Sequence, residues 1–339
     1  MKQRWTRLLR RIDGYQQQHR WLGFPYAVMR KFGEDQAGNL AALIAYYAFF
    51  SFFPLLLVFV TVLGFVLQGH PGLEQRVTGS VLDQFPIIGG QLGRQSHGLT
   101  GNGFGLAVGL VGTLWGGLGV ANTAQTALNS VWEVSMADRP NMIKRSGRSL
   151  LLLLVVGVGA LATTAISGLS SGAASFGLPG FGPVLRVLAA LLALVLNVGL
   201  FTLAFRVLTV RDIDTRDVLP GAVIAAVFWQ ALQLVGGYYV AHQLKGASQT
   251  YGTFAVVIGL LSWFYLQAQL TLLAAEVNTV LKLRLWPRGL VDAPQTEADG
   301  RAYEAYAETE RYQQPEKVDV RFEGRGDQPA RKDQRTRRG

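Results

Sequence analysis

The chain contains no cysteine, so no disulfide framework, thiolate metal site or cysteine nucleophile is available to it. Histidine is almost as scarce. His19, His70, His97 and His242 are the four in 339 residues, and they show neither HxH nor HExxH spacing, the patterns that build compact metal-ligand sets. A GxxxxGK[ST] loop is also missing, so no ATP-driven motor is encoded. The most informative scarcity is of charge. No Asp, Glu, Lys or Arg occurs at 36–73, 95–132, 149–185, 187–205, 218–244 or 246–275, and each gap is about the ~20 residues needed to cross a hydrocarbon core.

Six transmembrane helices are therefore expected, at roughly 40–68, 101–124, 150–171, 184–206, 219–241 and 252–281. The fold class is all-α, a polytopic helix bundle. Its membrane domain is expected at 40–289, after an interfacial segment at 1–39 and before a disordered tail at 290–339. Eight Lys/Arg lie at 1–39. Arg139, Lys144, Arg145 and Arg148 follow the second span, Arg206, Arg211 and Arg216 the fourth, and Lys282, Arg284 and Arg288 the sixth. The other three connections carry only Arg76, Arg94, Arg186 and Lys245. The positive-inside rule then places both termini in the cytoplasm. The net charge of +10 is largely this topology signal, and no nucleic-acid partner or cofactor is expected.

Near the start, Trp5, Leu8, Leu9 and Ile12 recur at helical spacing with Arg4, Arg7, Arg10 and Arg11 around them. That is an interfacial helix, with lipid-headgroup contact by the arginines as its functional reading and topogenic anchoring as its plain one. From Leu290 onward the composition turns to Pro, Gln, Glu, Asp and Arg, which predicts disorder.

Within the second span Gly101, Gly105, Gly109, Gly112, Gly116 and Gly119 stay on one face, a surface over which another backbone can approach closely. A weaker small-residue face on the third span, at Ala160, Thr164, Ser167 and Ser171, makes that span the expected partner. Pro54 in "AYYAFFSFFPLLL" removes a backbone donor and predicts a kink.

Several amides fall at depth: Asn197 in the fourth span, Gln230 and Gln233 in the fifth, Gln267 and Gln269 in the sixth. Structural hydrogen bonds between helices account for such groups, and a polar cavity near the midplane is the rival reading. On the sixth span Ser262, Gln269 and Glu276 form one stripe, and Gln267, Thr271, Ala274 and Asn278 another nearly opposite. Polar stripes on two sides require enclosure by protein or a wet cavity. Glu276 is the only acid in the run; an ion pair with Arg206, Arg145 or another cytoplasmic-side cation is expected, against a functional role.

The stretches "NLAALIAYYAFFSFFPLLL", "LNSVWEV", "LPGAVIAAVFWQ", "YGTFAVVIGLLSWFYL" and "LLAAEVN" together resemble the YihY/BrkB family of bacterial inner-membrane proteins. The likeness covers about residues 1–290, with Ala274 where the family often has Gly. It implies a six-helix membrane protein, some of whose relatives are labelled ribonuclease BN or virulence factor. The residues favour transport or translocation of an amphipathic or lipid-like substrate. The alternative is a non-transporting scaffold for envelope proteins or for copies of itself, using its glycine face and tail, and a membrane-associated ribonuclease ranks third.

Overall fold

The computed structural model describes residues 2–66, 103–141, 143–155, 157, 159, 182–210, 213–242, 244–290 and 296–321. Among them all regular structure is helical: α1 (Lys2–Gln18), α2 (Arg20–Glu34), α3 (Ala37–Val66), α4 (Gly103–Val131), α5 (143–155), α6 (Gly182–Leu208), α7 (Thr215–His242), α8 (Leu244–Lys282) and α9 (Glu297–Thr309). A 3₁₀ turn, Met136–Asp138, follows α4. Among the described residues five helices are long and apolar enough to cross a membrane, over Ala37–Val58, Ala107–Val131, Ala190–Leu208, Thr215–Gly236 and Val257–Lys282. Most of the expected third span, with its small-residue face, lies outside the described residues.

Outward faces of these helices are apolar, as lipid contact requires. Leu43, Tyr46, Phe50 and Phe53 of α3 and Val187, Leu188, Leu191 and Val195 of α6 are exposed. The buried core is assembled instead from small residues, Ala37, Ala41, Ala121, Ala222, Ala225 and Ala275, with Trp132, Phe205 and Leu272. Small contact residues let helices gain dispersion energy where hydrophobic burial supplies little driving force.

The glycine face of α4 packs on α3, while the small-residue face of the third span lies outside the described residues. A side chain at Gly109 would meet Val58, one at Gly112 would fall 2.8 Å from Cγ of Pro54, one at Gly116 would press on Ser51, and one at Gly119 would strike the Tyr47 ring. The physical reason is Pro54: its ring adds bulk to the α3 surface, and glycines opposite it leave the room. A side chain added at Gly117, one residue off this face, would crowd Leu153 of α5, 3.2 Å from its Cδ1. Helix α4 continues through Asn122, Gln125 and Asn129 to Val131.

Those three polar residues tie the next elements to one end of the bundle. Gln125 donates to Ser149 Oγ at 2.8 Å and to the Arg145 carbonyl at 2.9 Å, Ser149 donates to Asn122 Oδ1 at 2.9 Å, and Asn129 Oδ1 accepts from the Val210 backbone N–H at 2.9 Å. The connections rich in Lys and Arg therefore gather at this same end, which we term the basic end. Lys282 of α8 meets Asp217 of α7 there at 2.6 Å.

A cap closes the basic end. Helix α1 turns polar residues inward: Asp13 accepts from the Leu290 N–H at 2.9 Å and Gln16 donates to the Arg288 carbonyl at 2.6 Å. Ile12, Tyr15 and, on α2, Trp21 and Met29 are exposed instead. Apolar side chains on the outside and polar ones against protein suit a helix pair lying in a membrane interface. Residues 297–309, which composition places in a disordered tail, form α9 and complete the cap. The boundary expected at 290 therefore cuts through a folded unit.

Two local features overturn the compositional reading. Thr296 and Asp299 make a reciprocal capping box at the start of α9, satisfying backbone donors that otherwise disfavour a short helix. Ala298, Ala302 and Tyr306 then share one face, on which Ala302 and Tyr306 pack with Ala27, Val28, Val280 and Leu285.

Candidate functional site

Lys31 lies at the meeting point of cap and bundle, on α2, with a relative exposure of 0%. Its Nζ is 2.5 Å from Asp35, one turn along, 2.7 Å from Glu133 at the end of α4, and 3.4 Å from Glu276 of α8. Three carboxylates thus converge on one ammonium, each from a segment the sequence places far from the others. Glu133 reaches in because its backbone takes a left-handed φ of 52°, while Trp132 beside it is buried in the core. From α9, Thr309 donates to the second oxygen of Glu133 at 2.6 Å, and the Tyr306 ring faces Lys31 with 5.6 Å from Nζ to centroid.

Burial pushes Lys31 toward neutrality, but the carboxylates of Glu276, Asp35 and Glu133 outweigh it and hold the ammonium above the ordinary lysine value. Asp35 responds in the opposite sense. Burial, reinforced by Glu133 and only partly offset by Lys31, pushes its carboxyl up to about 6. One cation is thus insufficient for the acids around it.

A second network fixes the cap beneath the first. Arg288, fully buried, donates to Asp299 at 2.7 Å and to both oxygens of Glu34 at 3.0 Å. Arg30 pairs with Glu34 at 2.9 Å and with Asp299 at 3.3 Å, and also bonds the Gly289 carbonyl. Tyr306 donates to Glu34 at 2.5 Å. Burial alone would raise Asp299. The bonds from Arg288 and from the Gly289 and Thr296 N–H groups prevail and hold its carboxyl below the usual range. A depressed folded-state value gives stability at neutral pH that is lost as pH falls through it.

We expect Asp299→Ala to leave the buried Arg288 guanidinium with Glu34 alone and to break the capping box of α9, costing about 3 kcal/mol of cap docking. Limited trypsinolysis should then cleave within 284–311 at neutral pH while the membrane helices stay intact. An unchanged cleavage pattern would contradict the assignment.

The residues expected to act fall into distinct groups. Glu276 is completely buried, and its partner is Lys31, not Arg206 or Arg145: Arg206 bonds Thr215 at 2.8 Å, and Arg145 bonds Thr126 at 2.8 Å and the Asn122 carbonyl. Those arginines are held at local helix ends, whereas α2 brings Lys31 directly over α8. The enclosure of α8 holds at the basic end, where residues 274–280 are all buried, and lapses at Ser262, which is exposed. Gln267, Gln269, Asn197, Gln230 and Gln233 are half-buried. Along α8, Ser262 stands about 21 Å from Glu276 at 1.5 Å per residue, so the stripe joins two different environments.

Asn278, on the opposite stripe, accepts from the Gly221 backbone N–H at 2.6 Å. Gly105 opens the α4 glycine face. Arg10 and Arg11 are exposed on α1, while the side chains of Arg4 and Arg7 lie outside the described residues. Lys31, Asp35 and Glu133 carried no separate signal in the sequence except that Glu133 ends an amphipathic helix inside "LNSVWEV".

The basic end also holds a cleft of about 420 Å³ lined by Glu133, Ser135, Asp138, Glu308 and Arg311, beside the cluster. Among the described residues no group of three or more His, Cys, Asp or Glu is placed to hold a metal ion.

The model of the family described as virulence factor BrkB matches residues 28–298, a stretch that includes all four members of the lysine cluster. The chain belongs to the BrkB family. It is 27% identical to the inner membrane protein YhjD of Escherichia coli over 71% of this chain and 76% of the relative. A UPF0761 membrane protein of Azotobacter vinelandii is 29% identical over 79% of this chain, which spans 65% of that longer protein. The ribonuclease-like protein YfkH of Bacillus subtilis is 25% identical over 78% of this chain and 96% of the relative. No solved structure matches. The chain is thus an integral membrane protein of the BrkB family, and the motifs that suggested the family now have positions. "LNSVWEV" supplies Asn129, Trp132 and Glu133, "LLAAEVN" supplies Glu276 and Asn278, and "LPGAV" supplies Gly221.

Proposed function

We propose that this BrkB-family chain is a six-span inner-membrane transporter or translocator of an amphipathic or lipid-like substrate, with its basic end in the cytoplasm. The observation that carries the reading is the buried cluster of Lys31, Asp35, Glu133 and Glu276, where helices α2, α4 and α8 meet beneath the bundle. Buried ionisable groups are costly to desolvate, and one carried on a membrane helix, as Glu276 is, is a functional candidate by default. A cluster holding more acid than base is a poor device for stability alone, because the desolvation of its extra carboxylates goes uncompensated.

The scaffold alternative relies on the glycine face of α4 and on the tail, and among the described residues the first is covered and residues 297–309 of the second are docked. Gly109, Gly112, Gly116 and Gly119 are covered by α3, and the helix expected to lie in a free tail is docked on the cap. The ribonuclease-like name of one relative finds no matching metal-ligand arrangement among the described residues. Half-buried amides above the closed basic end support a wet route reaching down to the cluster.

The native chain has no cysteine, so single cysteines at 197, 230, 233, 262, 267 and 269 can be tested with a membrane-impermeant thiol reagent in intact cells and in inverted vesicles. The transport reading expects a subset of 230, 233, 267 and 269 to label through water, and labelling to fall when an amphipathic ligand is present. Uniform protection from both sides would sink it.

A further inference from the structure

Glu276 presents an incomplete hydrogen-bond account. It is fully buried, and among the described residues no N–H or hydroxyl group donates a hydrogen bond to either carboxylate oxygen. An ammonium has three donors. Those of Lys31 are drawn first to Asp35 and Glu133, at 2.5 and 2.7 Å, and Glu276 is left at 3.4 Å. The Asp35 carboxyl converges on the same ammonium, 2.5 Å from Nζ against 3.4 Å for Glu276, so the two carboxyl groups are neighbours across Lys31. Two carboxylates cannot satisfy each other, since both are acceptors only; a carboxylic acid and a carboxylate can.

We propose that Asp35 and Glu276 form a proton-binding site, a carboxyl pair that shares one proton taken from the cytoplasmic side. With Lys31 charged and three ionised acids the cluster would carry two net negative charges; binding one proton leaves one. The proton comes from water and bonds to one carboxylate oxygen, and no other bond changes. Every neighbouring element bears on this equilibrium. Helix α2 contributes Lys31, and Glu133 faces in from the end of α4. Helix α9 contributes Thr309 and Tyr306, whose hydroxyl is committed to Glu34. Arg30 and Arg288 are committed to Glu34 and Asp299, so they do not replace the proton. The raised value of Asp35, about 6, is consistent with loading near physiological pH.

Because α2 carries Lys31 and Asp35 while α8 carries Glu276, loss of the proton sets like charges against each other across the joint between cap and bundle. Use of the site for coupling rests on the transport reading; the site itself does not.

Infrared difference titration of the full chain in lipid nanodiscs tests the site directly. The expected result is a carboxylic-acid C=O band that titrates at about pH 6 or higher. Asp35→Asn, checked for folding by circular dichroism, should abolish that titration or return it to the ordinary carboxylate range, and the Asp35→Asn/Glu276→Gln pair should remove the band. Replacing choline by Na⁺ at constant ionic strength should leave the midpoint unmoved. A band already gone by about pH 5, or one unchanged in Asp35→Asn, would overturn the proposal, as would a midpoint displaced by Na⁺, which would make the cluster a metal-cation site. None of these outcomes depends on cysteine labelling, so failure of the proton site and failure of the transport reading are separable.

Discussion

Replacement of Gly221 by valine is expected to abolish accumulation of the folded protein, and even alanine is expected to lower stability severely. Gly221 sits at the start of α7 where it crosses α8, and an added Cβ would overlap the carbonyl oxygen of Ala274 and the side-chain amide of Asn278. The first obstacle is backbone, which cannot swing aside, in a stretch of α8 where residues 274–280 are all buried. Overpacking of this kind commonly costs 1–3 kcal/mol, and about 3 kcal/mol or more where the backbone must shift. Separation of the helices would also break the 2.6 Å bond from Gly221 N–H to Asn278, adding about 1–3 kcal/mol for a buried donor left without its acceptor. Asn278→Ala isolates that second component and should be the milder variant. Fluorescence-detected size exclusion of tagged variants in detergent provides the readout. A monodisperse Gly221→Val at wild-type yield would show that the α7–α8 contact is not what this close approach implies.

That contact was partly legible beforehand. Charge-free gaps locate the spans because charge is excluded from hydrocarbon whatever the fold, and the two stripes of α8 correspond to enclosure at its basic end, around 274–280, though not at Ser262. The partner of each stripe was not legible. Asn278 meets a glycine N–H, and Glu276 meets a lysine that the sequence assigns to an interfacial segment, since nothing local distinguishes Lys31 from the other seven cations at 1–39. The same limit explains the glycine face of α4, whose presence follows from periodicity while its partner depends on how Pro54 shapes α3.

The cap was misjudged for a different reason. Average composition from residue 290 onward favours disorder, but one helix needs only a start signal and one apolar face. Thr296-Glu297-Ala298-Asp299 is that start signal, readable in principle, and Ala298, Ala302 and Tyr306 supply the face. Its docking depends on Arg288 and Glu34 being buried together, which no local pattern conveys.

The other large effect concerns Lys31. We expect Lys31→Met to destabilise the protein by about 3–5 kcal/mol at neutral pH, the usual result of removing one partner from a buried ion pair, and to recover much of that loss on acidification. Methionine fills most of the lysine volume, so the cost is electrostatic. Asp35, Glu133 and Glu276 would face one another without a cation. The sign follows from linkage. The Asp35 carboxyl stands at about 6 with the ammonium present, and removing a favourable cation can only raise it further. A group whose folded value lies above its unfolded value contributes stability that is present below the unfolded value and lost as pH rises through the folded one. The variant should therefore approach wild type near pH 5 and fall away above about pH 6. Thermal unfolding in detergent at pH 5 and pH 8 measures the difference, with Lys31→Met/Glu276→Gln as the compensating pair. That pair should regain stability at pH 8, because one buried charge has been withdrawn with the cation. If Lys31→Met instead lost the same stability at both pH values, the lysine would be acting through packing, and the acid-rich cluster would not be the electrostatic joint between cap and bundle.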